Sequence, residues 1–146
     1  MKKLIAATAA AALAAGCQSV PPEPMLATAA LQPTKGSKAF GEATFEQAGD
    51  KVHLLVNAQG LRSNQQHGLQ IQEAGDCSSG DGMSAKGRRA GDLPALKADK
   101  DGRARLDAEV AGITLAAGPG GIVGRSLVIQ AVADGVRLAC GVIRAS

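Results

Sequence analysis

From Met25 onward, apolar and polar positions alternate over short runs, and no window sustains the 3.6-residue period of an amphipathic helix. Val52, Leu54, Val56 and Ala58 fall on one face at period two, with His53 and Asn57 on the other. The same reading places strands at 25–31, 38–47, 52–59, 67–73, 93–98, 103–110, 126–133 and 136–143, each bounded by turn residues. Ala48-Gly49-Asp50-Lys51 predicts a hairpin between the second and third strands. Asp99-Lys100-Asp101-Gly102 predicts one between the fifth and sixth, and Asp134-Gly135 predicts a two-residue turn between the last two. Eight short strands at this spacing predict an all-β antiparallel sandwich or barrel.

The first twenty-four residues do not share the pattern. Lys2 and Lys3 precede an apolar run at 4–15, which is shorter than the roughly 20 residues a membrane-spanning helix needs. Residues 1–16 read as a targeting segment. Ala14-Ala15-Gly16-Cys17 resembles a bacterial lipobox, with Leu13 one place earlier than usual. Cleavage before Cys17 would free its thiol for diacylglyceryl attachment, and Gln18 fits sorting to the outer membrane. An ordinary signal peptide that happens to contain a cysteine is the alternative. Residues 17–24 then form a tether, stiffened by Pro21, Pro22 and Pro24, and residues 25–146 form a single domain.

Composition narrows the function classes. The formal charge of +3 includes Lys2 and Lys3, so processing leaves +1, too little for a nucleic-acid surface. Phe40 and Phe45 are the only aromatic residues, which leaves almost nothing for stacking on bases or sugars. With Cys17 assigned to lipid, Cys77 and Cys140 remain as an even pair in an oxidising compartment.

The stretch His67–Ala85, HGLQIQEAGDCSSGDGMSA, resembles the core signature of copper/zinc superoxide dismutase. PTKGSKAFGEATF resembles that family's second-strand entry, and GDLPALKADKDGRA the segment after its zinc loop. GRSLVIQAVAD and the closing RLACGVI match further blocks in the same order. The resemblance implies a flattened Greek-key barrel of eight antiparallel strands. It also implies a disulfide between Cys77 and Cys140, joining a loop to the last strand.

The same alignment of motifs puts the wrong residues at the metal positions. Gln70, Gln72 and Gln130 fall on three copper histidines, Arg88 on the metal-bridging histidine and Arg89 on a zinc histidine. Asp92 alone is retained, at the zinc aspartate, and the last zinc histidine has no counterpart. A neutral carboxamide is a poor copper ligand and cannot act as an imidazolate bridge; an arginine brings permanent positive charge where a dication would sit. His67 matches a family histidine that supports the backbone, while His53 reads as a surface residue. Met25 and Met83 are soft donors that nothing in the spacing gathers. Arg88 or Arg89 is expected to pair with Asp92 in place of zinc, and the glutamines to hydrogen-bond one another.

Both functional loops of the family look short here: residues 84–92 replace the zinc loop, and the turn at 133–136 replaces the electrostatic loop. Arg137 matches the anion-guiding arginine, and with no copper behind it reads as a structural donor. These expectations combine into a superoxide dismutase-like lipoprotein without copper/zinc dismutase activity and without a metal cofactor. It would be held in the bacterial envelope through lipid on Cys17, at the outer membrane and facing the periplasm, with a structural or binding role. An envelope protein or a small anion bound near Arg88 and Arg137 would be its partner. A divergent dismutase using other ligands is the alternative, and a metal-delivery or interaction module a third class.

Overall fold

The computed structural model describes residues 1–146 apart from 1, 2, 4–7, 18, 21, 22 and 92. The described residues before Met25 form no helix or strand and are exposed, and no described helix is long and apolar enough to cross a membrane. Where the sequence alternates, burial alternates with it. In β3 (Lys51–Gln59) every second residue from Val52 to Ala58 is buried. The other long strands are β1 (Met25–Pro33), β2 (Phe40–Ala48), β4 (Gln66–Gln72), β7 (Ala104–Val110), β8 (Ser126–Ala131) and β9 (Arg137–Val142). Three two-residue strands complete the set: β5 (Arg89–Ala90), β6 (Leu96–Lys97) and β10 (Arg144–Ala145).

The strands form one curled antiparallel sheet in the order β5-β4-β8-β9-β1-β2-β3-β7, with β6 beside β4 and β10 beside β1. β1 belongs to both layers: Met25–Leu31 pair with β2, whereas Gln32 and Pro33 pair with β9. The non-consecutive neighbours β4–β8, β9–β1 and β3–β7 are the crossovers of a Greek-key barrel. Inside it lies one continuous core, in which Phe45, Leu54, Ile71, Leu127, Ile129 and Ile143 are fully buried. Burying each such side chain contributes about 1.5–3 kcal/mol. The two phenylalanines differ: Phe45 faces this core, and Phe40 is half exposed on the outer surface of β2.

Seven of the eight expected strands are present and long, and three local expectations change. The strand expected at 93–98 is reduced to β6, because Pro94 has no N–H to donate to a ladder. The turn at Asp99–Gly102 forms, with the Asp99 N–H donating to Arg103 at 2.8 Å, but it closes no hairpin. β6 pairs with β4 and β7 with β3, so this turn carries the chain from one layer to the other. The connection after β8 is wider than two residues. A bulge at Ile129/Gln130 shifts the register, and the Ala131 N–H donates to the Val136 carbonyl across four residues.

Candidate functional site

The alternation of β4 separates two kinds of chemistry. His67, Leu69 and Ile71 are buried on the core side, so Gly68, Gln70 and Gln72 face outward. Gln130 on β8 stands in register with Gly68, whose missing side chain lets the Gln130 chain lie across it. Arg89 on β5 stands in register with Gln72. Residues in register share a face, so Gln70, Gln72, Gln130 and Arg89 are brought together, as the family resemblance implied.

What they do there is specific. Gln72, only 3% exposed, donates its carboxamide Nε2–H to Gln70 Oε1 at 2.7 Å. Gln130 stays outside this pair, so the expected amide network is a pair of two. No buried side-chain nitrogen or oxygen among the described residues lacks a partner. Arg88 and Arg89 are exposed, and the Arg88 main-chain N–H donates to Glu73 Oε2 at 3.1 Å. Asp92 lies outside the described residues, and so does its expected pairing with either arginine. Gly91 has φ +66°, and a Cβ there would sit 2.7 Å from Ile113 Cγ2. Only glycine lets the end of β5 approach the segment after β7 this closely.

Arg137 on β9 stands in register with Gln130, but its guanidinium is taken up by the loop. Its Nη1 donates to the Gly82 carbonyl at 2.7 Å and to the Ala85 carbonyl, while Thr34 Oγ1 donates to the Arg137 carbonyl at 2.7 Å. It is the structural donor that its position suggested, and the exposed Arg88 shares none of these bonds. Its two acceptors sit in the loop between β4 and β5, which has further ties. Cys77 and Cys140 form the expected disulfide and pack with Ala85 and Val128 as a small apolar cluster outside the barrel. Ser79 and Ser84 exchange hydrogen bonds of 2.8–3.0 Å, and the fully buried Ser126 hydroxyl donates to the Ala74 carbonyl at 2.6 Å. The Ser78 hydroxyl and N–H hold the Asp76 carboxyl below the usual carboxylate range, and the Met83 N–H does the same for Asp81. Thr34, Ser79, Ser84 and Ser126 were not legible as site residues; only the register of Ser126 with Gln72 marks it.

The two histidines hold apart. His67 is fully buried, its Nδ1–H donating to the Gln65 carbonyl at 3.1 Å while Nε2 accepts the Arg62 N–H at 3.2 Å. Both ring nitrogens are therefore spent on the chain before β4, and burial pulls the imidazole pKa below 6.5. His53 sits half exposed on the outer face of β3 against Asp107, 2.5 Å away. Met83 is exposed and no cluster of three His, Cys, Asp or Glu side chains suited to a metal forms among the described residues.

Comparison with known proteins adds sequence kinship to this geometry. Residues 39–143 match the family described as Copper/zinc superoxide dismutase (SODC). A protein named Superoxide dismutase [Cu-Zn] from Paramecium bursaria Chlorella virus 1 is 33% identical over 132 residues, covering 80% of this chain and 67% of that one. Another of the same name, from Deinococcus radiodurans, is 29% identical over 145 residues, covering 74% and 79%.

Proposed function

Because the chain belongs to the copper/zinc superoxide dismutase family, we propose that it keeps the family barrel without the family's copper/zinc chemistry and serves a structural or binding role. The residues present do not fit the two metals. A copper ion at the matched positions would meet three carboxamides, and one of their oxygens, Gln70 Oε1, already accepts a hydrogen bond from Gln72. Guanidinium groups at Arg88 and Arg89 oppose a dication electrostatically, and neither can deprotonate to become a ligand. The Gln70–Gln72 pair is the observation that carries this reading: Gln70 Oε1 is held by Gln72 where a ligand atom would have to point at a metal.

The site of action in this reading is the bacterial envelope. Lys2 and Lys3, the apolar run after them and Cys17 support cleavage before Cys17, lipid attachment and, with Gln18, anchoring at the outer membrane facing the periplasm. The Cys77–Cys140 bond suits that oxidising compartment. A Cys17→Ser change is expected to abolish the lipid mass increment and release the protein into the soluble periplasmic fraction; continued membrane association would count against the anchor. A second reading, a divergent dismutase of oxidative-stress defence, draws on the printed names of both relatives. Superoxide consumption by protein loaded with copper and zinc separates the two. Turnover no greater than that of the same copper free in buffer is expected, and turnover far above it would select the second reading.

A further inference from the structure

Four segments meet at one end of the barrel: residues 34–39, 60–65, 97–103 and 132–136. Main-chain hydrogen bonds lock them to one another and to the strand ends. The Leu61 N–H donates to the Gly102 carbonyl, the Asn64 N–H to the Asp99 carbonyl and the Thr34 N–H to the Leu138 carbonyl, each at 3.0 Å. Gly60, with φ +69°, lies so close to the Lys38 carbonyl that a Cβ would collide with it. The four segments therefore form one hydrogen-bonded platform. None of them contains or adjoins a residue outside the described ones.

The platform is basic. Lys35, Lys38, Arg62, Lys97, Lys100 and Arg103 are set against Asp99, Asp101 and Asp134, an excess of three positive charges. The chain from Cys17 onward carries a formal +1, so everything outside the platform sums to a negative charge. Two of the three carboxylates are engaged locally. Asp99 accepts the Asp101 and Arg103 N–H groups, while Asp134 accepts the Val136 N–H and pairs with Arg62 at 2.9 Å. The other five cations are exposed and have no ion pair among the described residues. Lys35, Lys38 and Arg62 border a cleft of about 280 Å³, which Val136 and Leu138 close on an apolar side. No acidic side chain lines it among the described residues. Cations spread over four segments, instead of gathered in one pocket, suit a ligand that repeats single negative charges.

The platform also has a direction. β1 starts at Met25, where the tether of residues 17–24 joins, and ends at Pro33, one residue before the platform. A nine-residue strand spans about 30 Å, so the basic end is that far from the tether. Lipid on Cys17 would hold the opposite end of the barrel nearest the membrane.

We propose that this platform docks the protein onto a carboxylate-bearing polymer of the cell wall, the peptide-linked glycan mesh that lies beyond the membrane surface. Carboxylates of the mesh pair with Lys35 and Lys38 at the cleft and with Lys100 and Arg103 beside it. The proposal names the partner of the envelope binding role proposed above and rests on that reading. Anionic lipid headgroups share the charge, and the position opposite the tether disfavours them.

The test is co-sedimentation of the purified full-length protein with protein-free cell-wall sacculi. Saturable binding is expected, weakening about tenfold or more between about 20 mM and about 200 mM salt as exposed charges are screened. The Lys35→Glu, Lys38→Glu double variant should bind about tenfold or more weakly, whereas Lys51→Glu, Arg144→Glu, with the same net charge changed outside the platform, should bind like the native chain. Both variants replace exposed side chains, and their urea midpoints report whether the fold is kept. Sacculi whose carboxylates have been converted to amides should no longer retain the protein. Equal losses in the two variants would reduce the effect to net charge and overturn the platform. Undiminished binding to amidated sacculi would overturn the carboxylate. No saturable binding, or tighter binding to vesicles containing anionic phospholipid than to sacculi, would overturn the cell-wall partner. The Cys17→Ser fractionation reads the envelope placement separately, and copper content reads the loss of metal chemistry, so each claim can fail without the others.

Discussion

The loop at 73–88 and the outward face of β4 lie side by side and are held in opposite ways. The loop is tied by a disulfide, by the Arg137 guanidinium on two carbonyls, by paired serines and by turns capped at Asp76 and Asp81. The glutamines of β4 are joined, among the described residues, by one side-chain hydrogen bond, between Gln72 and Gln70, and border an open cleft. Here the loop has covalent and charge-assisted ties that need no ion, so its shape survives independently of the face it adjoins. The face, in the reading proposed above, is relieved of ligand geometry and is where this chain is free to differ.

That contrast can be broken from the loop side with the largest effect. Replacing Cys77 and Cys140 by serine should cost about 2–5 kcal/mol in urea unfolding, with loss of the small cluster around Ala85 and Val128. Arg137→Ala should cost less, about 2 kcal/mol, because it removes charge-assisted bonds to Gly82 and Ala85 while the disulfide remains. The face should respond more weakly still. Gln72→Ala is expected to cost about 1 kcal/mol, since it removes one neutral hydrogen bond and leaves a half-buried Gln70 that water can reach. A face mutation that cost as much as the disulfide would erase the distinction.

The smallest effect is one of pH. His67 is buried neutral with its pKa lowered from 6.5, so the unfolded chain takes up the proton first as pH falls. Its contribution to stability is complete above pH 6.5 and is lost as pH drops toward the folded value. The urea midpoint should therefore fall between pH 7 and pH 5, and His67→Gln should flatten that slope. Asp76 and Asp81 act lower, where their contribution to the loop disappears as pH falls below 3.8.

How far the sequence alone reached follows from which forces are local. Alternation placed β1 to β4 and β7 to β9 because burial on one face is a period-two property of each strand. It was the family resemblance, not the alternation, that implied a shared site for Gln70, Gln72 and Gln130. The turn at Asp99–Gly102 carries the same residues whether it closes a hairpin or crosses between layers, so local chemistry could not choose. Pro94 was a readable signal for the broken edge that the apolar run of 93–98 concealed. The partners of Arg137 were not readable, because they are main-chain carbonyls of a loop more than fifty residues earlier in the chain. The exchange of bonds between Ser79 and Ser84 depends likewise on how that loop folds back on itself.

The central claim is that the outward face of β4 no longer makes a copper site, and copper content tests it most directly. The purified protein would be equilibrated with copper and zinc, passed over a chelating resin to remove loosely held metal, and analysed for copper per chain. The same measurement on a Gln70→His, Gln72→His, Gln130→His, Arg88→His variant serves as the positive comparison. Far less than one copper per native chain and a clear gain in the variant are expected. One tightly held copper per native chain would contradict the claim.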